Sequence, residues 1–279
     1  VLSMPSISLV SYYYYSREEY SLKDFIEEHK DLISQIAHSY NVNASIHPED
    51  HIFQFIVTNP VFPSKKEAID YYFKDGKNSA QILLNLITSL YPPTGNPIQL
   101  LEFASGYGCV TRHLLNLQTS LSITACDIHE EAISFIENKL NNSSILSHPE
   151  PEQLKLDSST YDIVFCLSFF SHMPDTTWFR WLQTLYNAVS PGGLFIFTTH
   201  GYQSKKYFGF PNLNEKGYWF LSSSEQFDLD VNQYGQTIVS PSYVCDKIKL
   251  LPHNPIIKKY TEGFWWEHQD LWVIEKEIK

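Results

Sequence analysis

Gly106 and Gly108 follow the apolar run Leu100-Leu101-Glu102-Phe103-Ala104-Ser105, and Asp127 comes directly after a second run, Ile123–Cys126. Glycine accepts positive φ and brings no Cβ, so a strand ending in such a loop lets its backbone approach a ligand closely. A carboxylate at the tip of the neighbouring strand can accept both hydroxyls of a ribose. Together these residue types suit a nucleoside-bearing ligand. A lone Gly-x-Gly also occurs as a bare strand-to-helix turn, and the lesser reading of Asp127 is a cap for a helix starting near His129; the two roles can coexist.

The position where a dinucleotide turn carries its third glycine holds Thr111. A pyrophosphate drawn onto the helix by close helix–strand packing wants Gly or Ala there. S-adenosylmethionine has no pyrophosphate, so that constraint lapses. Glu102, four residues before the first loop glycine, could hold the ammonium of a methionine moiety. His172 and His200 each lie at the end of a strand-like run, at the sheet edge where doubly wound folds bind ligands. A histidine titrates near neutrality and can take a proton from an acceptor hydroxyl. A structural hydrogen bond is the other reading of His172, which sits just before Pro174. His268 with Asp270 is a weaker candidate pair.

These residues need a scaffold of alternating strands and helices. Apolar runs at 98–104, 121–126, 161–167 and 193–199 alternate with helical patterns near 109–117, 129–140 and 176–189. That rhythm predicts an α/β fold: a doubly wound, Rossmann-like, mostly parallel sheet with helices on both faces. Asp175 reads as the cap of the helix carrying Trp178, Leu182, Leu185 and Val189, and Ser190-Pro191-Gly192-Gly193 as the turn into the next strand. Ser240-Pro241 starts a short helix, and Phe264-Trp265-Trp266 and Leu271–Ile274 read as closing strands.

Upstream, Ser21 caps a helix bearing Leu22, Phe25, Ile26, Leu32, Ile33, Ile36 and Tyr40 on one face. Residues 41–66 read as loop, punctuated by Pro48, Pro60 and Pro63, and a second helix spans 77–91. The layout predicts an N-terminal helical cap or lid over 1–76 and a main domain over 77–279. Within it, residues 201–235 lack a clear period and read as an insertion that walls the substrate. The aromatic stretches Tyr12–Tyr15, Tyr71-Tyr72, Phe208, Phe210 and Tyr218-Trp219-Phe220 are lid candidates, or ordinary packing.

The chain has 279 residues and a formal charge of −11, with 43% apolar and 18% charged residues. That acidity disfavours nucleic acid, which needs a basic stripe. No run is long enough to span a membrane. Cys109, Cys126, Cys166 and Cys245 form no CxxC pair, so neither a metal site nor a disulfide framework is expected. A cytoplasmic location is expected, with a homodimer and fusion to a larger biosynthetic protein both open.

The run Glu102-Phe103-Ala104-Ser105-Gly106-Tyr107-Gly108 resembles motif I of the class I S-adenosylmethionine-dependent methyltransferases, and Asp127 resembles their ribose-binding acid. Tyr161-Asp162-Ile163-Val164-Phe165-Cys166 is similar to their fourth strand, and Ser190-Pro191-Gly192-Gly193 to the turn before their fifth. Ser168–Pro174 and Thr198–Gly201 look similar to a small-molecule branch. The resemblance covers about residues 78–279.

It implies S-adenosylmethionine held by Glu102, Ala104, Ser105, Gly106, Gly108, Asp127, Ile128, Glu150 and Leu167. His200 and His172 would act on a small or medium-sized acceptor, methylated on oxygen or nitrogen with oxygen slightly favoured. One position departs from the family pattern: Pro151, after the adenine-binding position Glu150, has no N–H for the ring. A non-catalytic methyltransferase-like module that binds a partner and an NAD(P)-dependent oxidoreductase are the rival readings. Intact Glu102, Gly106, Gly108 and Asp127 speak against the first, and Thr111 against the second.

Overall fold

A computed structural model describes residues 21–92, 95–117, 120–224, 226 and 228–278. The Tyr12–Tyr15 stretch lies outside these residues. The chain divides into two compact units: described residues of 21–98 with 104–147 make one, and 99–103 with 148–278 the other.

In the first unit, Ser21 caps α1 (Leu22–Glu28), accepting the Asp24 N–H at 3.3 Å. The single helix expected over 22–40 is two, because the chain breaks at His29 before α2 (Lys30–Ser39). The expected 41–66 loop holds α3 (His51–Thr58), capped by Asp50, whose Oδ1 accepts the Phe53 N–H at 2.9 Å. The expected helix over 77–91 is the end of a 26-residue helix, α4 (Lys65–Leu90). Its start is a capping box, Ser64 with Glu67, in which Ser64 Oγ accepts the Glu67 N–H at 3.2 Å. Pro63 precedes that cap and therefore leaves the helix intact. The four helices bury Phe25, Ile33, Phe53, Ile69, Tyr72 and Phe73 in one apolar cluster.

Beyond them come β1 (Ile98–Phe103), α5 (Thr111–Leu117), β2 (Leu121–Asp127) and α6 (Glu130–Phe135), which continues as a π turn over Ile136–Leu140. A short strand not expected from the polar Ser143-Ser144 pair follows, β3 (Ser143–Leu146).

The second unit carries β4 (Tyr161–Cys166), α7 (Asp175–Ala188), β5 (Val189–His200), α8 (Tyr202–Phe208), β6 (Tyr218–Leu221), β7 (Gln236–Val239), α9 (Pro241–Ile248), β8 (Ile256–Trp265) and β9 (Gln269–Glu275). Seven strands form one sheet in the order β3-β2-β1-β4-β5-β9-β8, with β6 and β7 as a separate antiparallel ribbon. Parallel registers run Leu100–Ile163 between β1 and β4 and Thr124–Ser143 between β2 and β3. β9 is antiparallel to both β5 and β8. The mostly parallel, doubly wound sheet is thus present, with the strand order reversing beside β1 and β4, where such folds bind ligands.

Two local expectations need correction. Pro174 rather than Asp175 is the N-cap of α7; Asp175 is its first residue, and its carboxylate accepts the Tyr243 hydroxyl at 2.6 Å. Ser190–Gly193 is no turn but the bulged start of β5, where the register shifts between Tyr161 and Ile163. The bulge needs glycine: a Cβ on Gly193 would lie 2.6 Å from the Asp162 carbonyl.

Candidate functional site

The turn after β1 folds by backbone geometry. Ala104 (φ 57°), Gly106 (φ 53°) and Gly108 (φ 75°) are all left-handed. Ser105, buried, ties the turn to β2 through its N–H on the Cys126 carbonyl at 3.1 Å. The two glycines do different things. A Cβ on Gly106 would meet nothing within 4 Å, so the backbone there faces open space, whereas one on Gly108 would lie 2.5 Å from Leu140 Cδ1.

Asp127, buried at the end of β2, accepts the Gly106 N–H on Oδ2 at 2.7 Å. Its Oδ1 takes the His129 N–H at 3.2 Å and faces His129 Nδ1 at 2.8 Å. His129, not Asp127, is the N-cap of α6. Asp127 therefore joins the glycine loop to the start of α6, and each oxygen keeps lone-pair capacity for a hydroxyl donor. Ile128, the next residue, is half-buried. An open backbone face beside a fixed carboxylate fits the ribose end of S-adenosylmethionine.

Arg112 on α5 locks this loop, a role not visible in the sequence pattern. Its guanidinium is buried and donates to Gly108 O (3.0 Å), Tyr107 O (3.2 Å), Asn43 O (3.0 Å), Ser45 O (2.9 Å) and the Tyr72 hydroxyl (3.3 Å). Tyr72 in turn donates to the buried Asp50 at 2.7 Å, whose carboxyl is raised above the usual range by burial. His47 stacks on Tyr107 at 4.7 Å between centroids.

In the other unit, Glu102 is buried near the end of β1, in register with Phe165. Leu167 follows β4, half-buried, ahead of left-handed Ser168. Glu150 is partly exposed and paired with Arg180 at 2.7 Å, as is Glu152. Pro151 is the first residue of a 3-10 turn.

The sheet edge here gathers polar side chains the strand pattern hid. His172 stacks on Tyr234 at 4.3 Å, and its Nδ1 faces the Gly235 carbonyl at 2.8 Å. That carbonyl only accepts, so Nδ1 carries the proton and the lone pair is on Nε2. His200 ends β5, 9% exposed, with ring centroids 6.5 Å from His172, 5.5 Å from Phe208 and 5.6 Å from His268. Burial, then His268 and His172, hold the His200 pKa well below the usual imidazole value. Gln269, Thr198 and Ser168 bond around it.

His268 belongs to this cluster, its Nδ1 at 3.2 Å from Ser204 Oγ and its pKa pushed down by burial to about 4. Asp270 does not join it. Its carboxylate accepts the Tyr260 hydroxyl (3.1 Å) and the Gly263 N–H (2.9 Å), because Asp270 follows Gln269 on β9 and successive strand residues point to opposite faces.

Residues 101–195 match the family described as "Methyltransferase domain". Among solved structures, an S-adenosylmethionine-dependent methyltransferase from Clostridium acetobutylicum aligns at 15% identity and TM-score 0.50, over 74% of this chain and 92% of its own. The PH0226 protein from Pyrococcus horikoshii aligns at 14% and 0.51, over 74% and 95%. The CurJ carbon methyltransferase aligns at 13% and 0.50, over 92% and 70%. No curated protein matches the chain in sequence. Residues 101–195 thus match a methyltransferase domain, and the chain shares its fold with these solved methyltransferase structures. No helix among the described residues is long and apolar enough to cross a membrane.

Proposed function

We propose that the chain transfers a methyl group from S-adenosylmethionine to an oxygen or nitrogen of a small or medium-sized metabolite. The observation that carries this is the Gly106–Asp127 arrangement: an open left-handed glycine whose N–H is held by a buried carboxylate. Asp127 accepts the ribose hydroxyls, the backbone of Ala104, Ser105, Gly106 and Gly108 lies along the nucleoside, and Ile128 covers its edge. Glu102 takes the methionine ammonium, and Leu167 follows the strand paired with β1. Glu150 keeps its part at the adenine through Arg180 rather than alone.

S-adenosylmethionine held by these residues would supply a sulfonium-activated methyl to a lone pair of the acceptor, with sulfur keeping the electrons of the broken carbon–sulfur bond. The chain's remaining work is alignment and removal of a proton. His172 accepts that proton at Nε2, and His200 contacts the acceptor. Oxygen is favoured because a hydroxyl must lose its proton to a base. Segment 201–235 walls the acceptor, a reading supported by Tyr234 stacked on His172 and Phe208 beside His200.

The test is incubation with methyl-labelled S-adenosylmethionine and fractionated small-molecule extracts. Label is expected in a small product. Label that enters only protein or nucleic acid, or no transfer by protein that binds S-adenosylhomocysteine, overturns the substrate class.

A further inference from the structure

The protons around His200 can be assigned one by one. Ser171 donates its hydroxyl proton to the Ser168 carbonyl, so the 3.0 Å contact between their hydroxyls is a donation from Ser168. Ser168 Oγ is then an acceptor for Gln269 Nε2 at 2.7 Å. At the other end of the amide, Thr198 Oγ1 accepts the Ser168 backbone N–H at 2.8 Å and donates to Gln269 Oε1 at 2.6 Å, an ordinary O–H···O length. Both ends fix the same orientation of Gln269.

The second N–H of Gln269 therefore meets His200 Nε2 at 3.2 Å. That nitrogen accepts, so the ring proton sits on Nδ1. His200 Nδ1 is buried and has no hydrogen-bond partner among the described residues. Buried donors are nearly always paired, and this one is held in place by four neighbouring side chains.

We propose that His200 is a fixed hydrogen-bond donor, its Nδ1–H gripping a carbonyl oxygen of the methyl acceptor beside the atom that is methylated. The inference rests on the methyltransferase reading and takes from His200 the role of base. Its one acceptor nitrogen is already occupied by Gln269. An uncharged carbonyl (amide, ester or ketone) is the matching group. A carboxylate would bring an unpaired charge against Phe208 and an imidazole that burial keeps neutral. His172 and His268 are the titratable rings that face His200, and the nitrogens assigned above turn to Gly235 and Ser204.

Nitrogen-15 spectra of histidine-labelled full-length chain, saturated with S-adenosylhomocysteine, read the tautomer directly. The His200 signal is expected as Nδ1–H from pH 6 to 8, and Gln269→Glu should reverse it, because a carboxylate can only accept. An Nε2–H signal in the unaltered chain overturns the assignment.

Matched acceptors test the substrate class, starting with 2-hydroxyacetophenone against 2-ethylphenol and extending to amide and ester pairs. The carbonyl member should turn over at least about tenfold better. His200→Asn, whose amide N–H stands near Nδ1, should stay within about threefold, while His200→Leu loses about 10- to 100-fold in kcat/KM with S-adenosylhomocysteine affinity kept. Equal turnover of the carbon analogues, an Asn variant as damaged as the Leu variant, or no carbonyl acceptor turned over by protein that binds S-adenosylhomocysteine overturns the proposal. Failure to bind S-adenosylhomocysteine instead brings down the methyltransferase reading.

Discussion

Replacing Arg112 by methionine tests whether the glycine loop is held by one buried cation. The guanidinium makes five hydrogen bonds, two of them to the loop carbonyls of Tyr107 and Gly108. Methionine fills a similar volume and donates nothing. Hydrogen bonds to a charged group are worth about 1.5–3 kcal/mol each, but relief of the buried charge and access of water to the Asn43 and Ser45 carbonyls return part of the loss. Removing one member of such a buried network costs about 3–5 kcal/mol in net terms.

For a chain of this size, that corresponds to a fall in Tm of roughly 6–20 °C. The loss of the cation also removes a favourable charge from Asp50, so its carboxyl should rise further. Scanning calorimetry measures the first effect, and titration with S-adenosylhomocysteine measures the loop. A fall of under about 3 °C with unchanged ligand affinity would refute the claim that Arg112 organises this unit.

Gly76→Ala should destabilise by about 1–3 kcal/mol despite the better helix propensity of alanine, because the new Cβ would lie 2.3 Å from the Cys109 carbonyl; chemical denaturation measures it. Asp270 has its carboxyl pushed up by burial to about 6. The folded state thus binds its proton more tightly than the unfolded chain, and stability from this group falls as pH rises from about 4 through 6. Asp270→Asn should therefore gain Tm relative to the unaltered chain across that window, and a flat difference from pH 4.5 to 7.5 would contradict it. His268, held down at about 4, works the other way: stability is lost as pH falls from the ordinary histidine range toward 4, and His268→Gln should lessen that loss in a thermal scan.

Much of the architecture was legible because apolar runs and helical periods alternate cleanly from Ile98 onward. The motif residues were legible for a related reason: Gly106 and Asp127 obey backbone rules that leave a mark in local sequence. What escaped was set by partners distant in the chain. Arg112 looks like any helix arginine until its acceptors at Asn43, Ser45 and Tyr72 are known. The helix capped by Asp50 and the start of the one capped by Ser64 escaped for a local reason, because the prolines around them suggested loop. Gln269 is one polar residue in an apolar strand, and only folding against Thr198 and Ser168 gives its amide a direction. His172 after β4 and His200 at the end of β5 were visible, but which nitrogen carries each proton depends on their contacts.

Calorimetric titration with S-adenosylhomocysteine, run on the unaltered chain and on Asp127→Ala, tests the central claim most directly. The account predicts a saturable heat for the unaltered chain. For the variant it predicts affinity weaker by about 1.5–3 kcal/mol, from loss of the carboxylate that accepts the Gly106 N–H and is proposed to accept the ribose hydroxyls. No heat at millimolar ligand, or equal affinity in the two proteins, would contradict it.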